Sequence, residues 1–154
     1  MFKKSIFFSV SSGQTKKAGR ILAEELLKTG AGKKAWVIGL IGDLGGGKTT
    51  FVQGFAKGLR IKQNILSPTF IIMKKFPVFS SPAFKGFFHI DCYRIEESKD
   101  ILGLGLKEIM NSPENIIAVE WADKALDILP ENAIILKFDH VDSNKRRIEC
   151  SLKK

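Results

Sequence analysis

The chain has 154 residues, 44% hydrophobic and 27% charged, proportions of an ordinary folded domain that argue against disorder, collagen and coiled coil. Lys and Arg number 25 against 16 Asp and Glu, a net charge of +9 that favours polyanionic partners but also serves plain solubility. Cys92 and Cys150 are the two cysteines, which excludes a disulfide scaffold or a four-cysteine zinc site and reads as two reduced, buried thiols.

Taken in order, residues 5–10 are rich in aromatic and β-branched side chains and predict a strand. Ser12 or Thr15 then caps a helix running to about Lys28, with Ala18, Ile21, Leu22, Leu26 and Leu27 at helical spacing and Gly30 and Gly32 ending it. Residues 35–41 form a continuous apolar run, the pattern of a parallel strand buried on both faces. A glycine-rich turn leads into a helix from Lys48 to about Leu59. Strands follow over 70–76 and 87–91, separated by a loop holding Pro77 and Pro82. Short helices are expected at 98–102 and 106–110, a buried strand at 116–120 and a helical stretch at 123–129 that stops before Pro130. Two late strands, 133–138 and 146–152, are joined by a polar turn through Asp142, Ser143 and Asn144. Alternating strands and helices predict an α/β domain with a largely parallel central sheet, to which the last pair adds antiparallel edge strands. The apolar start is too short for a signal peptide and no run approaches a membrane span. The sequence therefore reads as one cytoplasmic domain over residues 1–154 with no membrane partner.

The strongest local signal is Gly42-Asp43-Leu44-Gly45-Gly46-Gly47-Lys48-Thr49, which fits the phosphate-binding pattern G-x-x-x-x-G-K-[ST]. Glycines let backbone N–H groups turn inward around an anion, and the following helix adds its unpaired N–H groups and positive dipole end. Lys48 is placed to reach the β- and γ-phosphates of ATP, and the Thr49 hydroxyl to bind Mg²⁺. A second magnesium ligand belongs at the end of another buried strand, and two acids meet that description: Glu120 after Ile116-Ile117-Ala118-Val119, and Asp91 after Phe87-Phe88-His89-Ile90. Periodicity does not choose between them. His89, a lone histidine among aromatics, reads as core packing before it reads as a general base. Trp121 fits ring stacking and ordinary packing equally. The basic pairs, such as Lys16-Lys17 and Arg146-Arg147, are scattered; a nucleic-acid face requires several to converge in space.

The phosphate loop is followed by Ser67-Pro68-Thr69-Phe70, by His89-Ile90-Asp91-Cys92-Tyr93-Arg94, by Leu104-Gly105-Leu106-Lys107-Glu108 and by Val119-Glu120-Trp121-Ala122-Asp123. In this order the segments closely resemble the bacterial TsaE (YjeE) family over residues 15–123. The loop alone is shared by many families; its combination with S-P-T-F, H-x-D-x-Y-R and E-W is specific. The resemblance implies a P-loop fold and slow, Mg²⁺-dependent ATP hydrolysis, with ATP and ADP as the nucleotides. It implies TsaB and TsaD as partners in forming threonylcarbamoyladenosine next to the anticodon of tRNAs, with tRNA met through the complex. TsaC makes the threonylcarbamoyl-adenylate, and the TsaE cycle supports repeated turnover without transferring the group. By position, Gly45, Gly46, Gly47, Lys48, Thr49 and Thr50 form the nucleotide loop, and Glu120 is the magnesium-linked acid. Asp91 and Thr69 are further catalytic positions, Thr69 being switch-like. Thr15 and Gly19 lie near the adenine. Gly46 stands where the family usually has Ala, and Asp123 where it often has Glu. The segments 67–70 and 89–94 are the expected nucleotide-sensing loops. The competing reading is a P-loop kinase acting on a small metabolite, which requires an acceptor pocket and an arginine-bearing lid.

Overall fold

The computed structural model describes residues 3–67 and 72–154. Seven strands form one sheet in the order β1-β7-β6-β2-β5-β4-β3, where β1 is Ser5–Ser9, β2 Trp36–Gly42, β3 Met73–Pro77, β4 Gly86–Asp91, β5 Asn115–Glu120, β6 Ile134–His140 and β7 Arg146–Leu152. The four central strands β6, β2, β5 and β4 are mutually parallel. Antiparallel strands complete the sheet on both sides, β7 then β1 at one edge and β3 at the other.

The late strands depart from the sequence expectation. β6 is no edge strand: it pairs in parallel with β2, so its apolar run Ile134-Ile135-Leu136 is buried in the sheet, and β1 rather than β7 takes the edge. Strand neighbours so distant in sequence leave no local trace in it. Predicted and observed boundaries otherwise agree within a few residues, except that residues 70 and 71 of the strand expected over 70–76 lie outside the described residues and Pro77, expected in the loop, ends β3. Further exceptions are the first helix cap, which is Ser11, whose hydroxyl accepts from Gln14 N at 3.1 Å, and the stretch Ala122–Ile128, which is a 3₁₀ helix.

Helices α1 (Ser12–Thr29) and α2 (Lys48–Gly58) cover one face of the sheet, over a core that includes Leu26, Leu40, Phe51, Phe55, Phe87 and Leu136. The short helices α3 (Lys99–Leu102) and α4 (Leu106–Asn111) and the 3₁₀ helix cover the other, over Val37, Ile90, Ile101, Leu106 and Val119. The two long helices touch backbone to backbone. A Cβ on Gly54 would fall 1.9 Å from the Lys16 carbonyl oxygen, and one on Gly19 would fall 2.2 Å from that of Phe51. Glycine is required at both because any side chain would push the helices apart. Gly19 is therefore a packing residue of the α1–α2 contact. Cys92 and Cys150 are free and buried, as expected. Among the described residues, no helix is long and apolar enough to cross a membrane.

Candidate nucleotide and magnesium site

The parallel strands end together. Asp91 at the end of β4 stands in register with Glu120 at the end of β5, and Leu40 of β2 pairs with Glu120 from the other side. The glycine loop leaves β2 at this same edge, where open α/β sheets gather their ligands. Gly45 and Gly47 adopt φ of 74° and 100°, left-handed values that a side chain would strain. Gly47 precedes α2 without a side-chain cap, so the first N–H groups of α2 face the loop rather than a capping oxygen. Gly46 does not take a left-handed φ, and a Cβ there would meet the Asp43 carbonyl oxygen at 3.0 Å, so alanine at this position requires that oxygen to give by a few tenths of an ångström.

Lys48 is buried and folds back over its own loop, donating to the Gly42 and Asp43 carbonyl oxygens at 2.6 and 2.7 Å. Its Nζ lies 4.3 Å from the centre of the Trp121 ring. Burial pushes the ammonium below its ordinary pKa, while the charges of Glu120, Asp43, Asp91 and Asp123 oppose that shift. Trp121 has φ of 56°, uncommon for a bulky residue, and its ring packs tilted at 54° against Tyr93 with centroids 5.0 Å apart. Trp121 thus packs within the chain, against Tyr93 and under the Lys48 ammonium.

Thr49 Oγ1 donates to Glu120 Oε1 at 2.7 Å. The other Glu120 oxygen lies 2.5 Å from His89 Nε2, and both side chains are almost wholly buried. A carboxylate only accepts, so Nε2 carries the proton and His89 donates. His89 is therefore more than core packing: it fixes the orientation of Glu120. Nothing local signals this, because residues 89 and 120 meet only through the β4–β5 pairing. Asp91 is held differently, accepting from Tyr93 N at 2.8 Å and from Ser67 Oγ at 2.9 Å.

These groups line a cleft of about 450 Å³ formed by Leu44 to Thr50, Ser67, Asp91, Tyr93, Glu120 and Trp121. A second cleft of about 180 Å³ adjoins it, and Gly45, Gly47 and Thr50 line both. Its other walls include Thr15, the residues before it in the β1–α1 turn, and Ser143, Asn144 and Arg146 of the β6–β7 turn. Arg146 Nη2 reaches the Gly45 carbonyl oxygen at 3.4 Å, so the hairpin closes over the loop. The sequence marks 142–144 only as a turn; its arrival at the phosphate loop depends on β6 lying beside β2. The structure thus brings Lys48, Thr49, Thr50, Asp91, Glu120 and the three loop glycines to one cleft and Thr15 to the next. Thr69 lies outside the described residues.

The oxygen donors of Thr49 and Glu120, converging beside a phosphate-type loop, suit a hard divalent cation brought in with a nucleotide. Among the described residues, no group of three or more His, Cys, Asp or Glu side chains forms a cage for a metal by itself.

Glycine loop, α2 and the parallel strands around them define the class: an α/β protein of the P-loop nucleoside-triphosphatase fold. The family model described as "Threonylcarbamoyl adenosine biosynthesis protein TsaE" matches residues 9–148, and the chain belongs to the TsaE family. It is 34% identical over 131 residues to the tRNA threonylcarbamoyladenosine biosynthesis protein TsaE of Haemophilus influenzae, covering 85% of this chain and 78% of that one. To the protein of the same name from Nostoc it is 36% identical over 134 residues, 85% of this chain and 76% of the relative. Among solved structures, Bacillus subtilis YdiB superposes with a TM-score of 0.76 at 27% identity, over all of this chain and 88% of YdiB.

Proposed function

We propose that the chain is a Mg²⁺-dependent ATPase of tRNA threonylcarbamoyladenosine biosynthesis, supporting a TsaB–TsaD pair over repeated turnovers. The observation that carries the reading is the convergence of Lys48, Thr49 and Glu120 at the glycine loop. The pathway follows from the family and the names of the relatives.

Each residue has a distinct task. The loop glycines and the start of α2 cradle the phosphates with backbone N–H groups. Lys48 exchanges its bonds to the Gly42 and Asp43 carbonyls for bonds to the β- and γ-phosphates, and its buried charge counters the charge that develops between them. Thr49 and Glu120 hold magnesium, directly or through water, and the ion when bound neutralises phosphate charge. His89 keeps the Glu120 carboxylate turned toward Thr49. Asp91 orients the attacking water, a role supported by its register beside Glu120. The cleft next to Thr15 and Arg146 takes the base and ribose side of the nucleotide.

The reading is tested by tRNA threonylcarbamoylation with TsaB, TsaD and excess substrate. Wild-type chain with ATP sustains many turnovers, and Lys48→Ala stops near the first. Equal product with both proteins refutes it.

A further inference from the structure

The positive charge of this chain is unevenly placed. Residues 12–29 and 48–66 carry eight Lys or Arg and two Glu, whereas residues 93–131 carry four Lys or Arg against nine Asp or Glu. The first set covers the α1–α2 face of the sheet, and most of the second covers the opposite face.

The glycine-mediated approach of α1 and α2 concentrates this charge. Gly54 lies against the Lys16 backbone and Gly58 against that of Arg20, so the helices approach closely and basic residues of both line the same concavities. Two concavities lie there. One, of about 640 Å³, is lined by Arg20, Lys28, Lys57 and Arg60, with Glu24 the single acid. The other, of about 250 Å³, is lined by Lys16, Lys57 and Lys62 and holds no acid among its lining residues. Lys57 belongs to both, so they form one continuous strip. Arg20 and Lys28 are each paired with a glutamate, but among the described residues Lys16, Lys57, Arg60 and Lys62 have no ion-pair partner. The strip ends at Leu66, next to Ser67 of the nucleotide cleft.

We propose that the α1–α2 face is a docking surface for the phosphodiester backbone of RNA. Four unneutralised cations spread along a concave strip suit a repeating line of single negative charges, and Lys and flexible Arg heads follow a backbone without reading bases. Among the described residues no aromatic side chain lines either concavity, so stacking on unpaired bases contributes little and recognition is of backbone charge and shape. The proposal rests on this face alone and holds whether or not the neighbouring cleft hydrolyses ATP.

The test is fluorescence anisotropy with a labelled, unmodified tRNA transcript and the full chain, without nucleotide, over a salt series. Binding is expected to fall at least tenfold between about 50 and about 200 mM salt, with a slope of about −0.7 per phosphate contacted. The double reversal Lys57→Glu with Arg60→Glu is expected to weaken binding at least about tenfold at low salt and to flatten the slope by about 1.4. Lys62→Gln alone flattens it by about 0.7. The same charge change on the opposite face, Lys99→Glu with Lys107→Glu, leaves affinity within about twofold, because exposed charges beyond a Debye length are screened. Equal losses from the two double reversals overturn the proposal, since net charge alone would then drive binding. So does the absence of salt-dependent binding. Displacement of the transcript by polyglutamate at equal charge concentration also overturns it, and assigns the face to an acidic protein.

Discussion

Thr49 Oγ1 donates a 2.7 Å hydrogen bond to Glu120 Oε1, joining the first turn of α2 to the end of β5 across 71 positions of sequence. Two hard oxygen donors are thereby held side by side, and the proposed magnesium site would be preorganised by that pairing.

Glu120→Gln is expected to raise the Mg²⁺ concentration for half-maximal hydrolysis about tenfold or more, because a neutral amide is a poorer ligand for a hard cation. Asp91→Asn is expected to lower kcat while leaving that requirement within about twofold, its side chain being held by Tyr93 N and Ser67 Oγ rather than by Thr49. Magnesium titrations of both variants decide this; the opposite pattern exchanges the two roles.

His89→Leu removes the donor to a buried Glu120 oxygen, and an unsatisfied buried polar atom costs about 1–3 kcal/mol. Lower thermal stability and a raised magnesium requirement are expected together. His89→Gln, which keeps a donor on the side chain, is expected to recover the magnesium requirement more than the stability. A melting curve and a magnesium titration separate the two effects. If neither variant moves the magnesium requirement, His89 is core packing alone.

The reach of the sequence follows from which interactions are local. The phosphate loop was legible because its glycines, lysine and threonine are consecutive, and the buried strands leading to Asp91 and Glu120 because both are short apolar runs ending in an acid. Their side-by-side register, the His89 hydrogen bond and the closure of Arg146 over Gly45 depend on β4 pairing with β5 and β6 with β2. No window of sequence carries those pairings. The same holds for Gly19, whose missing side chain serves the contact with α2, a helix that follows it only after β2 and the phosphate loop.

Gly54→Ala tests that contact. The added methyl would lie 1.9 Å from the Lys16 carbonyl oxygen, so the helices must separate. Overpacking of this kind costs about 1–3 kcal/mol or more, outweighing the roughly 1 kcal/mol that alanine gains over glycine within a helix. A lower denaturation midpoint is expected; an unchanged or raised one contradicts the helix packing described.

Burial is the main cause that pushes the Cys92 thiol up to about 12, helped by the charges of Asp91 and Asp123. Burial also raises that of Cys150, against a smaller opposing hydrogen bond from Ser5. Both thiols are expected to resist a thiol-specific disulfide reagent at about pH 8 in the folded chain and to react at once on denaturation, since the thiolate is the nucleophile. Because the folded form holds these protons more tightly than the unfolded form, stability is full below the ordinary value of 9.0 and declines as pH rises from there toward about 12. Rapid labelling of both thiols in the native chain refutes this.

Phosphate release from Mg·ATP, with no metabolite acceptor, is the decisive measurement for the proposed ATPase activity. It is to be measured for wild type and Lys48→Ala, each alone and with the TsaB–TsaD pair. Slow release is expected from the wild type alone and faster release with the pair. A loss of at least about 100-fold is expected in Lys48→Ala, the scale seen when one preorganised group facing transition-state charge is removed. Undiminished release by a folded Lys48→Ala, or release only when a small phosphoryl acceptor is added, would contradict the proposed activity.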